Sequence, residues 1–286
     1  MTAHAAAGES IEARIGYLSP QSRVNRFFWA PEGRLSTGII AAERVTIGNA
    51  RVAGQPFTLD RNGFTLARCP TALTDIRDRA GIGAFYGREV DAIVKDLTGA
   101  NLVVSMGAEI RSSLPDGGAI HPPAARVHID YDARTALRVA ERRYRRVRPE
   151  GPPPARFMLL SLWRCFSPPP QDWPLALCDY QSCKGDRAVR VAKIDVARLP
   201  EGDARFAPID GEEELGASGL FTFNPAHCWY YYPDMTRDEI IAIKFHDSDA
   251  SRACRAPHSA FHDEGRVGAF PRESIEFRVA AFFTEK

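Results

Sequence analysis

A mainly β fold with flanking helices is what this sequence predicts, on three observations. The second half carries many short apolar segments separated by Gly and Pro turns, as in a sandwich, jelly roll or barrel. Helical periodicity is confined to two segments in the first half. Nothing in the chain resembles an internal repeat, a low-complexity tract or a glycine-rich phosphate loop.

Residues 1–10 read as a disordered tail. Between Ile39 and Leu66, apolar and polar residues alternate around turn signals at Gly48-Asn49, Gly54-Gln55 and Asn62-Gly63, which predicts two or three strands. From Asp75 to Leu97 the spacing of Ile82, Phe85, Val90, Ile93 and Val94 predicts a helix stopped at Thr98-Gly99. Asn101–Ile110 reads as a strand. Arg134–Arg148 reads as a basic helix whose charged face is solvated. Pro-rich segments at 149–154 and 168–170 flank a buried strand from Phe157 to Trp163, and punctuate loops without dividing the chain. Further strands are expected at Trp173–Asp179, Val189–Ile194, Gly219–Phe223, Trp229–Tyr232, Ile240–Phe245 and Ser274–Phe283. Residues 1–286 are therefore taken as one domain.

Length and composition narrow the function. The 286 residues are enough for a substantial core, and a net charge of +1 gives no reason to expect nucleic acid or an anionic membrane surface as partner. Of 37 basic residues 32 are arginine, which reflects genome composition more than function. No apolar run approaches the length of a membrane span, and the N-terminus lacks a secretory signal pattern. The six cysteines have no small-scaffold spacing, so a cytoplasmic setting with free thiols is expected. Cys178-x4-Cys183 has no second close pair to complete a zinc site. The expected partner is a small-molecule substrate; an oligomer is possible, but no segment specifies one.

Two distant motifs carry the chemistry. In Val127-His128-Ile129-Asp130-Tyr131, strand alternation puts His128 and Asp130 on one face and Val127, Ile129 and Tyr131 on the other. Far downstream, Pro257-His258-Ser259-Ala260-Phe261 is followed, fourteen residues after His258, by Arg272-Glu273-Ser274. Two imidazoles and one carboxylate are the ligand set that leaves one face of an octahedral iron open. Arg272 and Ser274 lie on one strand face with Glu276 and Arg278, so an arginine fork and a hydroxyl can hold a carboxylate there. The competing reading pairs Arg272 with Glu276 or Glu273 as a structural ion pair.

Other residues were weighed beside these. His227 is a competing metal ligand, while His246 and His262 are surface or supporting residues. Trp229 and Tyr231, in an aromatic run, either pack the core or contact substrate. Arg164 and Lys244 stand inside apolar strands, where an unpaired charge is costly. Each therefore meets an anion, either an acid such as Asp179 or a substrate carboxylate. Lys244 is the alternative carboxylate clamp.

A set of motifs occurs in order. It runs from Gly63-Phe64 through Arg111, His128-Ile-Asp-Tyr131, Trp163-Arg164, Trp173-Pro-Leu-Ala-Leu-Cys-Asp179, Asn224-Pro-Ala-His227, Trp229-Tyr-Tyr and Pro257-His-Ser-Ala-Phe261 to Arg278. Across roughly residues 35 to 283 the chain resembles the AsaB-like hydroxylase/desaturase family, which includes the oxygenase component of cephamycin 7-alpha-methoxylation. The resemblance implies a double-stranded β-helix (jelly-roll, cupin-like) core using Fe(II), 2-oxoglutarate and O2. It makes His128, Asp130 and His258 the iron ligands and Arg272 with Ser274 the clamp for the distal carboxylate of 2-oxoglutarate, with Arg278 as second-choice cation. It further implies decarboxylation to succinate and hydrogen abstraction by a high-valent iron–oxo species. Hydroxylation, desaturation or cyclisation of an amino-acid-derived or secondary-metabolite substrate then follows. Two departures from the family pattern, Ser161-Leu-Trp-Arg-Cys165 for Asn-x-Trp-Arg-Pro and Cys228 where Arg is usual, bear on substrate identity. A jelly-roll binding protein without turnover, or a metal-dependent hydrolase or lyase at the same ligands, are the alternatives.

Overall fold

The computed structural model describes residues 9–114 and 120–284. Fifteen strands are present among them. In chain order these are β1 (Ser10–Leu18), β2 (Arg26–Ala30), β3 (Gly33–Ser36), β4 (Ile40–Asn49), β5 (Phe64–Arg68), β6 (Leu102–Ser112), β7 (His128–Ile129) and β8 (Arg156–Cys165). They continue with β9 (Leu175–Cys178), β10 (Val189–Asp195), β11 (Ala217–Leu220), β12 (Trp229–Tyr231), β13 (Glu239–Asp247), β14 (His258–Ala260) and β15 (Glu273–Phe283). They form a ten-stranded sheet, ordered β1-β4-β12-β9-β14-β7-β11-β10-β2-β3, and a five-stranded sheet, ordered β5-β13-β8-β15-β6. Two sheets with interdigitated inner faces make the jelly-roll sandwich that the resemblance implied.

The predicted disordered tail needs one correction. Residues 1–8 lie outside the described residues, but Ser10 already begins β1. There Ile15 and Tyr17 are buried and every residue pairs with β4. Strands β2 and β3 were also unread, because Arg26-Phe-Phe-Trp lacks the alternation of a half-buried strand.

Helical segments cover the outside of the smaller sheet. A short turn α1 (Arg79–Gly81) runs through a π-helical turn at Ile82–Tyr86 into α2 (Gly87–Thr98). Gly99 closes α2 in the left-handed conformation, φ 74°, with its N–H donated to the Lys95 carbonyl, as the Thr98-Gly99 stop predicts. Val90 and Val94 pack against Ile275, Phe277 and Val279 of β15. That packing fixes the orientation of β15 and leaves Ser274, Glu276 and Arg278 facing the larger sheet. In β6, Gly107 has φ 112°, and the pairing of β6 with β15 shifts register between Arg278 and Val279. This bulge bends the ladder where Arg278 leaves it. The basic helix α3 (Ala133–Val147) buries Ala136, Ala140 and Tyr144 in the core, and its exposed Arg134 and Arg138 bond Glu214.

Candidate metal and ligand site

Sheet pairing brings the two distant motifs together. In the larger sheet β7 and β14 are antiparallel neighbours, and His258 is the direct partner of His128. Val127 and Ile129 are buried in the core behind the ligands, so the alternation read from the sequence holds. One ligand atom from each of His128, Asp130 and His258 lies within 4.8 Å of the others. The imidazole centroids are 4.4 Å apart, and His128 Nε2 is 4.0 Å from Asp130 Oδ1.

The remaining hydrogen bonds orient these groups. His128 Nδ1 is 2.8 Å from the Arg126 carbonyl, and His258 Nδ1 is 3.1 Å from the Ala256 carbonyl. A carbonyl only accepts, so each Nδ1 carries the proton and each Nε2 presents its lone pair. Burial, then the neighbouring His258, pushes the His128 imidazole well below its ordinary value, keeping it neutral. Burial would raise the Asp130 carboxyl, but Arg278, followed by His258 and Lys193, outweighs it and holds the group below its ordinary value as a carboxylate. Two imidazoles and one carboxylate are a donor set suited to Fe(II).

Arg278 makes that carboxylate possible. Its Nε and Nη2 each donate to Asp130 at 3.2 Å, and Nη2 lies 2.6 Å from Glu276. Arg278, the second-choice cation for a co-substrate, is therefore already engaged by two carboxylates through Nε and Nη2. Glu276 pairs with Arg278 and Glu273 pairs with Arg77, so the ion pairs that competed for Arg272 are absent among the described residues.

Arg272 is 1 % exposed, as is Ser274. Its Nη1 donates to the Trp173 carbonyl at 2.9 Å, and its guanidinium lies 5.6 Å from the Trp163 ring centroid. Its Nε, and the hydroxyls of Ser274 and Ser161, are buried with no partner. Burial pulls the guanidinium down to about 10, so it remains a cation at neutral pH. A buried cation beside orphaned donors leaves an unsatisfied polar cost that a bound anion removes. Arg272, Ser161, Trp163 and Glu276 line a narrow cleft, about 20 Å³, that also touches His128 and His258. At Arg111 and His128 it meets a wider cavity of about 460 Å³.

Four weaker candidates are corrected. Arg164 faces the helical layer opposite Ile275, not the cleft. Its Nε donates to Tyr86 at 3.2 Å, and Nη1 donates to the carbonyls of Cys69 and Arg237, so carbonyls and a phenol hold it rather than Asp179 or a substrate. Lys244 is 2.6 Å from Asp247 and 3.4 Å from Asp60, in a network with Arg156, which removes it as an alternative clamp. Trp229 donates its indole N–H to Tyr17 and packs, like Tyr231, in the main core; neither lines the narrow cleft or the wide cavity.

The competing histidines are placed elsewhere. His227 bonds Tyr17 and Asp186, His246 stacks on Phe157, and His262 lies beside Trp173. No cluster that could hold a metal includes Cys178 or Cys183 among the described residues, and all six cysteines are free.

Sequence reasoning missed Arg111, Arg126 and Lys193, which line the wide cavity with Arg278 and Asp130. Arg126 stands two residues before His128 and shares its face by strand alternation. Lys193 is the charged interruption of an apolar strand. Lys193 Nζ donates to the Asp130 carbonyl at 3.1 Å, and burial followed by Arg278 brings it down to about 8.

Residues 16–282 match the family model described as oxidoreductase/YMDC permease-like domain. No helix is long and apolar enough to cross a membrane among the described residues. The Fe(II)/2-oxoglutarate-dependent dioxygenase nvfI of Aspergillus novofumigatus is 28% identical over 285 residues, covering 96% of this chain and 91% of the relative. The hydroxylase/desaturase efuI of Hormonema carpetanum is 29% identical over 261 residues, covering 85% and 84%. The hydroxylase/desaturase asaB of Aspergillus flavus is 32% identical over 135 residues, 46% of this chain and 57% of the relative. Among solved structures, an iron and alpha-ketoglutarate-dependent endoperoxidase, NvfI, matches with a TM-score of 0.79 at 25% identity over 97% of this chain and 99% of that chain.

Proposed function

This chain belongs to the oxidoreductase/YMDC permease-like domain family, and on that premise we propose that it is an Fe(II)- and 2-oxoglutarate-dependent oxygenase of small organic substrates. The resemblance to hydroxylase/desaturases is borne out by relatives of that name. One observation carries the site assignment: His128 and His258 of the His128–Asp130–His258 cluster share a cleft with a buried cation, Arg272, whose neighbouring donors lack partners.

The residues fit the groups that this reading requires. His128, Asp130 and His258 would hold iron, with the proton of each Nδ1 kept by a backbone carbonyl. Arg272 and Ser274 would hold the distal carboxylate of 2-oxoglutarate, and a cleft this narrow selects a slender, unbranched chain. When bound, iron with 2-oxoglutarate supplies oxygen activation and hydrogen abstraction from unreactive C–H bonds, with succinate and carbon dioxide as co-products. Arg278 positions Asp130 and keeps Glu276 from repelling a dianion. Trp163 walls the cleft and keeps water from Arg272. Hydroxylation, desaturation and oxidative cyclisation share this machinery. The wide cavity beside Asp130 receives the small-molecule substrate.

Strands from both ends of the described chain build the sandwich, which supports one catalytic domain. Six unbridged thiols suit a reducing, cytoplasmic compartment.

The test is an anaerobic visible spectrum of the purified protein with Fe(II), before and after 2-oxoglutarate. A weak metal-to-ligand charge-transfer band, abolished in His258→Ala and weakened in Arg272→Ala, is expected. Folded, iron-loaded protein without that band would overturn the assignment.

A further inference from the structure

The wide cavity carries more information than its position. Its volume, about 460 Å³, is that of a pocket for one small organic molecule. Phe27, Trp29, Ile40, Val191 and Leu220 give it apolar walls. Its charge is one-sided. Arg34, Arg111, Arg126, Lys193 and Arg278 line it, against the carboxylates of Glu109 and Asp130. Asp130 is taken by Arg278; Glu109 contacts His121, but burial followed by Arg34 brings that imidazole down to about 4, so it is neutral at neutral pH and Glu109 keeps its charge.

Four cations then remain with no carboxylate partner among the described residues. Arg126 lies over the Phe27 ring at 4.8 Å and Arg34 over Trp29 at 4.7 Å, so each sits at the edge of an apolar wall. Arg111 donates one N–H to the Pro122 carbonyl, and Lys193 rests on Tyr131 at 5.0 Å. These cations act on one another: Arg111 depresses Arg34 beyond the effect of burial. Like charges gathered round one cavity are unfavourable until an anion enters.

The catalytic groups do not supply that anion. In formal charges, ferrous iron and Arg272 together balance Asp130 and the two carboxylates of 2-oxoglutarate. Arg278 balances Glu276. Arg34, Arg111, Arg126 and Lys193, set against Glu109 alone, then leave a net positive charge for the substrate.

Resting on the oxygenase reading above, we propose that the substrate is a carboxylic acid with an apolar skeleton. Its carboxylate docks on Arg126 and Arg111, with Arg34 at the rim, while Phe27, Trp29 and Val191 hold the skeleton beside the metal ligands. An arginine fork matches a carboxylate in two parallel hydrogen bonds, and the aromatic walls accept a hydrocarbon body.

Calorimetric titration of the anaerobic Fe(II)–2-oxoglutarate complex tests this, using 2-naphthoate and 4-phenylbutyrate, each against its neutral primary amide. The acids are expected to bind at least tenfold more tightly than the amides, with the charge-transfer band of the co-substrate retained. Arg126→Met should reduce that preference to less than threefold while leaving the band intact. Equal or undetectable binding of acid and amide by wild-type complex overturns the proposal, as does loss of the band on adding acid, which would put the probe in the co-substrate cleft. A complex that never forms the band fails at the oxygenase reading itself, and the substrate assignment falls with it.

Discussion

At the residue scale, Arg272 and Arg164 make a controlled comparison. Both are fully buried arginines in the smaller-sheet region, each with one guanidinium nitrogen unpartnered, yet one faces the cleft beside two orphaned hydroxyls and the other faces helices through carbonyl and phenol contacts. Arg272→Gln should raise the KM for 2-oxoglutarate by about one to two orders of magnitude, the loss expected when a charge-assisted carboxylate contact of about 1.5–3 kcal/mol goes. Its melting temperature should change little, since Arg272 is depressed by burial and holds no carboxylate among the described residues. Arg164→Met should do the reverse, lowering stability with KM unchanged; steady-state kinetics and thermal melts on the two variants decide it. A KM effect confined to Arg164 would reverse the assignment. In sequence Arg164 read as a cation inside an apolar strand, and Arg272 as a cation on a polar strand face with Ser274, Glu276 and Arg278. The distinction was legible only for Arg272, because Ser274 two residues on marked a polar strand face. The face of β8 on which Arg164 sits depends on its pairing with Ile275, which no local pattern carries.

At the element scale, the turn after β13 is pinned by buried charge. Lys244 and Asp247 are both buried, 2.6 Å apart, and Arg156 of β8 donates twice to the same carboxylate. Burial would raise the Asp247 carboxyl, but Arg156 and then Lys244 outweigh it and hold it below its ordinary value. A depressed carboxylate contributes stability that is present above its unfolded pKa and lost as pH falls through the lower folded one. Acid denaturation should therefore be flatter in Asp247→Asn than in wild type as pH falls below about 4. Breaking the pair from one side should cost about 3–5 kcal/mol, whereas the double change Lys244→Met with Asp247→Leu should cost less than the single changes combined. Chemical denaturation across that set of variants measures both; strict additivity would mean that the two charges do not interact. Elements of this kind were readable where periodicity was strong, as in α2, α3 and β8. They were missed in β1, of which only Ser10 fell in the predicted tail and the rest was assigned to no element, and in β2, whose polar–apolar pattern is broken by consecutive aromatic residues.

At the scale of the whole molecule, the assigned site spans the sandwich. The proposed iron ligands lie on β7, just after it and on β14 of the larger sheet, and the proposed carboxylate clamp lies just before and at the start of β15 in the smaller one. The sequence disclosed both motifs but not their meeting, because the His128–His258 partnership joins residues 130 positions apart through sheet order alone. A metal–diacid pair held by both sheets links them in the folded state and not in the unfolded chain. Ligand at about 100 times its Kd adds about 2.7 kcal/mol to stability. In a protein of this size that is worth a rise in melting temperature of roughly 5–10 °C. Melting in the absence of oxygen should then rise in two steps, first with Fe(II) and again with 2-oxoglutarate. His258→Ala should lose both steps. Arg272→Gln should keep the first and lose most of the second, because its iron ligands are intact while the link to the smaller sheet is gone. If 2-oxoglutarate stabilised the Arg272→Gln protein as much as the wild type, the diacid would be held from the larger sheet alone and the cleft would have another occupant.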